Sequence, residues 1–190
     1  MKQAKVLNEK ELKRVMSTLR SRRHWKRDEL IVLLSFYAGL RSCEISSLRI
    51  GDVVDEEGNA KDTLYLNSWQ TKGSERQSVM IGERLQKAIA KYVVSERQHA
   101  DAEAPLVRSQ KGKAFSSASL QNLFRDIYEG AGIDGASSHS GRRTYITTLS
   151  EKGVSARVIQ QLARHSSLAT TQRYIEVNDA VMRKAVELVG

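Results

Sequence analysis

The sequence contains very little cysteine, proline or aromatic residue: one cysteine, one proline and 6% aromatic residues among 190. The single cysteine, Cys43, excludes an internal disulfide and any zinc site built on several cysteines. Because one proline leaves long helices uninterrupted, the composition predicts a mainly helical protein. Long hydrophobic runs are also missing, since the longest apolar stretch, residues 30–40, is too short to cross a bilayer. We therefore expect one intracellular domain that needs neither a membrane nor a structural metal.

What the sequence has in excess is positive charge. It contains 31 Lys and Arg against 22 Asp and Glu, which gives a formal net charge of +9. An excess of this size predicts a polyanionic partner, and nucleic acid is the first candidate; a basic but inert surface is the alternative. The charge is clustered, because residues 10–27 are dense in Lys and Arg whereas residues 52–62 are acidic.

Hydrophobic periodicity predicts a helical domain with one small antiparallel sheet. Asn8 and Glu11 fit an N-cap and its reciprocal partner at the start of a first amphipathic helix. A nearly all-apolar helix follows over residues 28–38, and Gly39 is its C-terminal stop. Strand formers separated by turns predict the sheet within residues 53–81. The other predicted helices cover residues 42–48, 83–98, 117–129, 141–151, 155–164, 169–177 and 179–188.

A first group of residues suited to phosphate lies in residues 139–145, HSGRRTY. His139 and Arg142 are three residues apart at a helix start, so their side chains point to one side and could reach the same group. The same helix start would direct backbone N–H groups and a positive dipole end towards an anion near Ser140. An ordinary capping region followed by solvated arginines explains this segment equally well when it is taken alone.

A second group lies in residues 162–177, LARHSSLATTQRYIEV. His165 begins a turn after one predicted helix, and Tyr174 lies on the next one, in a polar setting. The remaining tyrosines have neighbours typical of packing residues: Tyr37, Tyr65, Tyr92, Tyr128 and Tyr145. The pattern therefore predicts that Tyr174 is the tyrosine available for chemistry.

Two further candidates come earlier in the chain. Arg41 directly follows the buried second helix, and Glu44 is placed to orient it through an ion pair. Lys72 lies in the turn of the predicted hairpin, TKGSER. Each has an ordinary explanation as well, a helix-end residue for Arg41 and solubility for Lys72.

Taken together and in this order, the residues resemble the motifs of the tyrosine recombinase family, also called the phage integrase family, over residues 7–177. That family has an arginine after Gly-Leu, a lysine in a hairpin turn, His-x-x-Arg, a second histidine and then a nucleophilic tyrosine. The matching residues, which the resemblance implies to be catalytic, are Arg41, Lys72, His139, Arg142, His165 and Tyr174. Two details depart from the pattern. Arg164 stands where glycine often precedes the second histidine, and Ser140 with Gly141 replaces a more frequent acidic and apolar pair.

The resemblance implies a site-specific DNA recombinase of the integrase or invertase type. Such an enzyme cuts and rejoins DNA through a 3′-phosphotyrosyl intermediate without ATP, cofactor or metal, on a mainly α catalytic domain with a small antiparallel β-sheet. Arg41 and Arg142 would bind the phosphate oxygens, because arginine stays protonated and binds such oxygens in pairs. His165 would donate another hydrogen bond to the same phosphate oxygens. In the same scheme His139 would assist Tyr174 and Lys72 would protonate the leaving 5′-oxygen.

The resemblance implies that the partner is double-stranded DNA. It also implies that the protein forms a homotetramer in the synaptic complex on DNA and is a monomer when free. We expect further phosphate contacts from basic side chains on and near the motifs. These are Arg22, Arg23, Lys26, Arg143, Arg164 and Arg173. The family resemblance also implies a cytoplasmic protein of a bacterium, an archaeon or a phage.

The resemblance makes residues 1–190 a single catalytic domain without the N-terminal DNA-clamping domain of most members. The chain is then either an excised fragment or similar to the short inversion-type recombinases. Residues 178–190 are predicted to form a C-terminal helix that is either exchanged between subunits or packed on its own domain. Two other functions stay open: DNA relaxation of the type IB topoisomerase kind, and a catalytically silent DNA-binding protein on the same fold. The presence of all six family residues argues against the silent protein.

Overall fold

The computed structural model describes residues 3–71, 75–175, 182–183 and 186–187. Within these ranges the chain forms nine α-helices and one two-stranded antiparallel sheet, which confirms the predicted fold class. The elements are α1 (Glu9–Leu19), α2 (Trp25–Ala38), α3 (Ser42–Ser47), α4 (Ile50–Val53), β1 (Thr63–Leu66), β2 (Gln77–Met80), α5 (Glu83–Glu96), α6 (Ser117–Gly130), α7 (Ser140–Glu151), α8 (Ala156–Ala163) and α9 (Leu168–Gln172). None of the helices described is long and apolar enough to span a membrane.

Helix α2 is the centre of the fold. Its apolar residues are buried on nearly all sides because α1, α5 and α7 pack around it and α3 follows it directly. Gly39 ends the helix with a φ of 60°, a left-handed conformation that glycine adopts without a side-chain clash. A Cβ atom at Gly39 would also lie 2.8 Å from Cδ1 of Tyr145 on α7. The predicted helix stop is therefore also a point of close approach between α2 and α7.

The start of α1 is the predicted capping box. The side chain of Asn8 accepts a hydrogen bond from the backbone of Glu11 at 2.9 Å, and the Glu11 carboxylate accepts one from the backbone of Asn8 at 3.0 Å. Just before it, the backbone N–H of Leu7 donates to Oγ1 of Thr144 at 3.0 Å. The N-terminal segment is thus attached to α7, the helix that carries the His-x-x-Arg motif.

The hairpin is present but shorter than the sequence pattern suggests. Strands β1 and β2 pair in antiparallel register from Thr63 opposite Met80 to Leu66 opposite Gln77. The residues after β1 form a 3-10 turn (Ser68–Gln70), because the Gln70 side chain accepts from the Asn67 backbone and donates to Asp52 at 2.9 Å. Lys72 lies between the two strands and outside the described residues.

The C-terminal helices form a small second core. Ile146, Ile159 and Ala163 are buried together, and Tyr174 packs against them. The prediction that Tyr174 lies on a helix was wrong. Helix α9 ends at Gln172, and the backbone N–H of Tyr174 bonds to the carbonyl of Thr171, three residues back, so the chain turns there. The predicted tail, residues 178–190, lies outside the described residues except for 182–183 and 186–187.

Candidate active site

A cavity of about 670 Å³ brings together five of the six predicted catalytic residues. Its walls include Arg41, His139, Arg142, His165 and Tyr174. These residues come from the loop after α2, the start of α7, the turn after α8 and the turn after α9. Four chain segments, of which the first lies about 100 residues before the others, therefore meet at one site. The structure does not describe Lys72, the sixth residue.

Arg142 projects from the first turn of α7 and is 5% exposed. Its Nη1 donates to the carbonyl of Gly39 at 2.7 Å, and its Nη2 donates to the carbonyl of Ala163. These carbonyls lie at the C-terminal ends of α2 and α8, where helix dipoles are negative and favour a cation. Burial, followed by the positive charges of Arg41 and Arg164, lowers the pKa of Arg142 to about 9. The guanidinium group is consequently still charged at neutral pH.

The reach of Arg142 depends on close packing between α7 and α2. A Cβ atom at Gly141 would lie 2.8 Å from Cβ of Ser35 and 2.9 Å from Cδ2 of Phe36, and it would overlap the Ser35 hydroxyl. Only glycine fits such a contact without displacing its neighbours. Gly141, one of the two departures from the family pattern, thus lets α7 approach α2 closely enough for Arg142 to bind the Gly39 carbonyl.

Glu44 is fully buried and binds two arginines. Its Oε1 accepts from Nη1 of Arg41 at 2.7 Å, which is the predicted ion pair. Its Oε2 accepts from the backbone N–H of Arg41 and from Nη2 of Arg164, both at 2.8 Å. Burial opposes ionisation of Glu44, but Arg164 and the bonds from Arg41 outweigh it and lower the pKa of the carboxyl group. Glu44 is therefore an anion that orients Arg41.

The charges around the cavity do not cancel. Arg41, Arg142 and Arg164 supply three positive charges, and Glu44 supplies one negative charge. Arg143 and Arg173 on the cavity lining add two positive charges, which leaves an excess of four. Such an excess in a partly buried site attracts an anion strongly, because little water is present to screen it. A phosphodiester that gains negative charge during reaction fits this site.

His165 lines the cavity and is 9% exposed. Its Nδ1 is 2.9 Å from Oγ1 of Thr171, and its ring stacks on that of Tyr174. Burial, followed by the charges of Arg142, Arg41 and Arg164, lowers the pKa of His165 to about 4. The imidazole is thus neutral at pH 7. When its Nδ1 accepts the Thr171 hydroxyl proton, Nε2–H is the donor that remains for another group.

Tyr174 is half-buried, and its ring also lies 5.8 Å from the guanidinium carbon of Arg143. Among the other tyrosines, Tyr92 and Tyr128 are buried, and burial raises the pKa of both, that of Tyr92 to about 12. Tyr65 does not pack as its neighbours suggested: it is 51% exposed on the hairpin and stacks with Arg76. Tyr174 is the tyrosine that lines the cavity.

The arginines and lysine predicted to bind DNA lie in three different environments. Arg143 and Arg173 line the cavity. The second group lies near the N-terminal end of α2. Because a helix rises 1.5 Å per residue, this end is on the order of 20 Å from the C-terminal end of α2, after which Arg41 enters the cavity. The members of this group are Arg22, which binds Asp28 at 2.9 Å, the exposed Arg23, and Lys26, which binds Glu96 at 2.7 Å.

Arg164 does not fit the predicted phosphate contact in this structure. Its side chain is 3% exposed and binds Glu44 in the interior, so a duplex at the surface would not reach it. Two residues that hold His165 were not predicted from the sequence. They are the fully buried Thr171 and Gln160, and Nε2 of Gln160 donates to the His165 carbonyl at 3.1 Å. Their spacing from His165 carries no signal, because both act through the folded turn.

In the described part of the chain, no group of three His, Cys, Asp or Glu could hold a metal ion.

Residues 5–180 match the sequence model of the family described as "Phage integrase family". The chain belongs to that family. This phage integrase family member is 33% identical over 183 residues to tyrosine recombinase XerA of Thermococcus kodakarensis, covering 96% of this chain and 62% of XerA. It is 27% identical over 190 residues to transposase A from transposon Tn554 of Staphylococcus aureus, covering 96% and 51%.

Solved recombinase structures share the fold of this chain. The crystal structure of XerA recombinase has a TM-score of 0.78 and 28% identity, covering 99% of this chain and 66% of that one. The XerH site-specific recombinase, solved bound to its difH substrate, shares the fold with a TM-score of 0.72 and 22% identity, covering 95% and 53%. The family member described here spans about three fifths of the length of the curated XerA relatives, 62% and 61% in two of them.

Proposed function

We propose that this chain is the catalytic domain of a site-specific DNA recombinase that works through a 3′-phosphotyrosyl intermediate. The observation that carries the proposal is the shared cavity of Arg41, His139, Arg142, His165 and Tyr174. It combines a phenol, two cations and two imidazoles, which are the groups needed to bind a phosphodiester, attack it and move a proton. The similarity to XerA, named a tyrosine recombinase, supports the same reaction.

In the first step, the phenol oxygen of Tyr174 attacks a backbone phosphorus. A bond from Tyr174 to the 3′-phosphate forms, and the bond to the 5′-oxygen breaks. His139 accepts the phenol proton, and Lys72 donates a proton to the leaving oxygen. In the second step a 5′-hydroxyl of a partner strand attacks the phosphotyrosine, and the bond from phosphorus to the Tyr174 oxygen breaks. Lys72 takes the proton of the attacking hydroxyl, and His139 returns its proton to the Tyr174 oxygen, so both groups are restored and the bond energy is conserved without ATP.

Charge that develops on the non-bridging oxygens is met by Arg41 and Arg142, with Nε2–H of His165 as a third donor. Both arginines are already fixed before DNA binds, Arg41 by Glu44 and Arg142 by two helix ends. Preorganised donors stabilise a transition state without reorganisation, and loss of one typically costs about 3–4 kcal/mol. The excess of positive charge at the cavity also stabilises the negative charge of the transition state.

The proposed partner is double-stranded DNA, in a homotetramer that holds two duplexes. The net charge of +9 supports DNA as the partner. Arg143 and Arg173 would bind phosphates next to the scissile one, and Arg22, Arg23 and Lys26 would bind the backbone farther along the duplex. Each would contribute to affinity rather than to the choice of sequence.

The experiment is covalent trapping on nicked DNA. Purified protein is incubated in EDTA with duplexes that carry a randomised segment and a nick, so that the short 5′-hydroxyl fragment diffuses away after cleavage. A denaturing gel is expected to show a protein–DNA adduct with the unmodified protein and none with Tyr174→Phe. Tyr65→Phe is the matched control, since Tyr65 is exposed outside the cavity. An adduct that persists in Tyr174→Phe, or none with the unmodified protein, contradicts the proposal.

The same assay separates the two other functions. Enrichment of one sequence among the trapped duplexes supports a site-specific enzyme and yields its target. Adducts without sequence preference, together with relaxation of an arbitrary supercoiled plasmid, support a topoisomerase of the type IB kind. DNA binding without any adduct supports the catalytically silent protein.

A further inference from the structure

Arg164 has an unusual backbone conformation. It caps the C-terminal end of α8 with φ of 55° and ψ of 47°, which is the left-handed region. In the described residues it is the only non-glycine with a positive φ, and six glycines occupy the other such positions. A side chain is strained in this region, whereas glycine is not. The arginine side chain must therefore contribute something that glycine could not supply.

That side chain makes a buried ion pair. It is 3% exposed, and its Nη2 lies 2.8 Å from Oε2 of Glu44, which is itself fully buried. The pair joins residues 120 positions apart in the chain. The same carboxylate binds the backbone and the guanidinium group of Arg41. One buried anion thus connects the loop of Arg41 with the turn of Arg164.

The turn of Arg164 also sets the position of His165. The backbone N–H of His165 donates to the carbonyl of Gln160 at 3.1 Å, and its carbonyl accepts from the Gln160 side chain at 3.1 Å. The ring is then held between Thr171 and Tyr174. Because His165 is the next residue after Arg164, a change in the conformation of Arg164 moves the start of the His165 side chain.

We propose that Arg164 is a positioning residue whose ion pair with Glu44 fixes His165 and Arg41 at the correct separation to bind one phosphate. This inference rests on the proposed function of the cavity. Arg164 itself does not touch DNA, because its guanidinium group is enclosed by the protein. Its loss is therefore expected to reduce the rate of DNA cleavage and to leave DNA affinity nearly unchanged.

The first test measures cleavage and binding separately for three variants. Arg164→Gly relieves the backbone strain and removes the ion pair, and Arg164→Lys keeps the charge with a different geometry. Arg125→Ala is the matched control, because Arg125 is an exposed arginine on α6 that bonds to Asn122 of the same helix and does not line the cavity. The substrate is the nicked duplex pool, and the readouts are the single-turnover rate of adduct formation at saturating DNA and the Kd.

For Arg164→Gly we expect a rate lower by roughly 10- to 100-fold, the effect of misplacing a group that must be aligned with the substrate. The Kd should change by less than about threefold, since phosphate contacts dominate affinity. Arg164→Lys should also be slowed, and Arg125→Ala should match the unmodified protein. A weakened Kd with an unchanged rate at saturation would show a direct phosphate contact and overturn the proposal, as would no change in either quantity.

The second test needs no DNA. NMR of the His165 ring reports its contact with Tyr174 through ring-current shifts, and its titration reports the nearby charge. We expect altered ring shifts in both Arg164→Gly and Arg164→Lys, and a higher pKa of His165 in Arg164→Gly because a neighbouring positive charge is lost. Unchanged ring shifts in both variants would refute the positioning role even if the enzyme recombines DNA. Altered shifts without any adduct from the unmodified protein would refute only the proposed function. Arg164→Lys keeps the test valid if the glycine variant fails to fold.

Discussion

The ring of His165 stacks on the ring of Tyr174, with 5.6 Å between the ring centroids and 23° between the planes. Nδ1 of His165 also lies 2.9 Å from Oγ1 of Thr171, within hydrogen-bond distance. Tyr174 packs on the small cluster of Ile146 and Ile159 rather than on the main core around α2. The turns after α8 and α9 therefore position the candidate nucleophile, Tyr174. A change in the protonation of His165 acts directly on the ring that stacks against it.

The first prediction concerns the protonation of His165. Its pKa is about 4 in the folded protein, against an ordinary value of 6.5. Between these values the unfolded chain binds more protons, so stability should fall as the pH drops from about 6.5 to 4 and the contribution of His165 should then level off. Thermal unfolding across this range should be less dependent on pH in His165→Gln. The variant His99→Gln, which changes an exposed histidine, should behave like the unmodified protein. Equal slopes in all three proteins would show that His165 does not cause the effect.

A second prediction tests the hydrogen bond that orients His165. Thr171→Val keeps the shape of the side chain and removes the hydroxyl that lies 2.9 Å from Nδ1. A hydrogen bond of this kind contributes about 1 kcal/mol, so the single-turnover rate on nicked DNA should fall roughly fivefold at unchanged Kd. Thr148→Val, on α7 and outside the cavity lining, should keep the original rate. A full rate in Thr171→Val would mean that stacking alone positions the ring.

Much of the fold follows from local sequence signals. The start of α1 was predicted from the capping box of Asn8 and Glu11, and the end of α2 from Gly39 after an apolar run. Such signals lie within a few residues of the feature they determine, so they can be read without knowledge of the remaining chain. The same holds for the hairpin strands, whose alternation in fact places Tyr65 on the opposite face from the buried Leu64 and Leu66.

The site itself depends on contacts that the sequence does not display. The resemblance predicted a set of catalytic residues, but not that Arg142 would bind the ends of α2 and α8. It also gave no sign that Arg164 would turn inwards to Glu44, because that ion pair joins segments 120 residues apart. The early end of α9 has the same origin, since Tyr174 packs on Ile146 and Ile159 from other helices. Local propensity cannot reveal a conformation that a distant partner imposes.

The third prediction concerns the close contact of α7 with α2. Gly141→Ala would place a methyl group against Ser35 and Phe36 in the core. Overpacking of this kind typically costs about 1–3 kcal/mol, which should appear as a lower free energy of unfolding in urea. Gly130→Ala is the matched control, because a Cβ atom there meets nothing within 4 Å on the last turn of α6. It should be neutral or slightly stabilising. Equal stability of the two variants would show that α7 can move away from α2 at little cost.

The fourth prediction concerns the buried carboxylate between Arg41 and Arg164. Glu44→Gln would leave two guanidinium groups without their anion, and breaking a buried ion pair on one side typically costs about 3–5 kcal/mol. Because the pKa of Glu44 is lowered from an ordinary value of 4.5, its stabilising effect is complete at neutral pH and is lost as the pH falls below that value. Urea unfolding should therefore show a large deficit in Glu44→Gln at pH 7 that narrows in acid. Glu129→Gln, which changes an exposed carboxylate, should show neither effect. A deficit that stays constant with pH would indicate lost packing rather than lost charge.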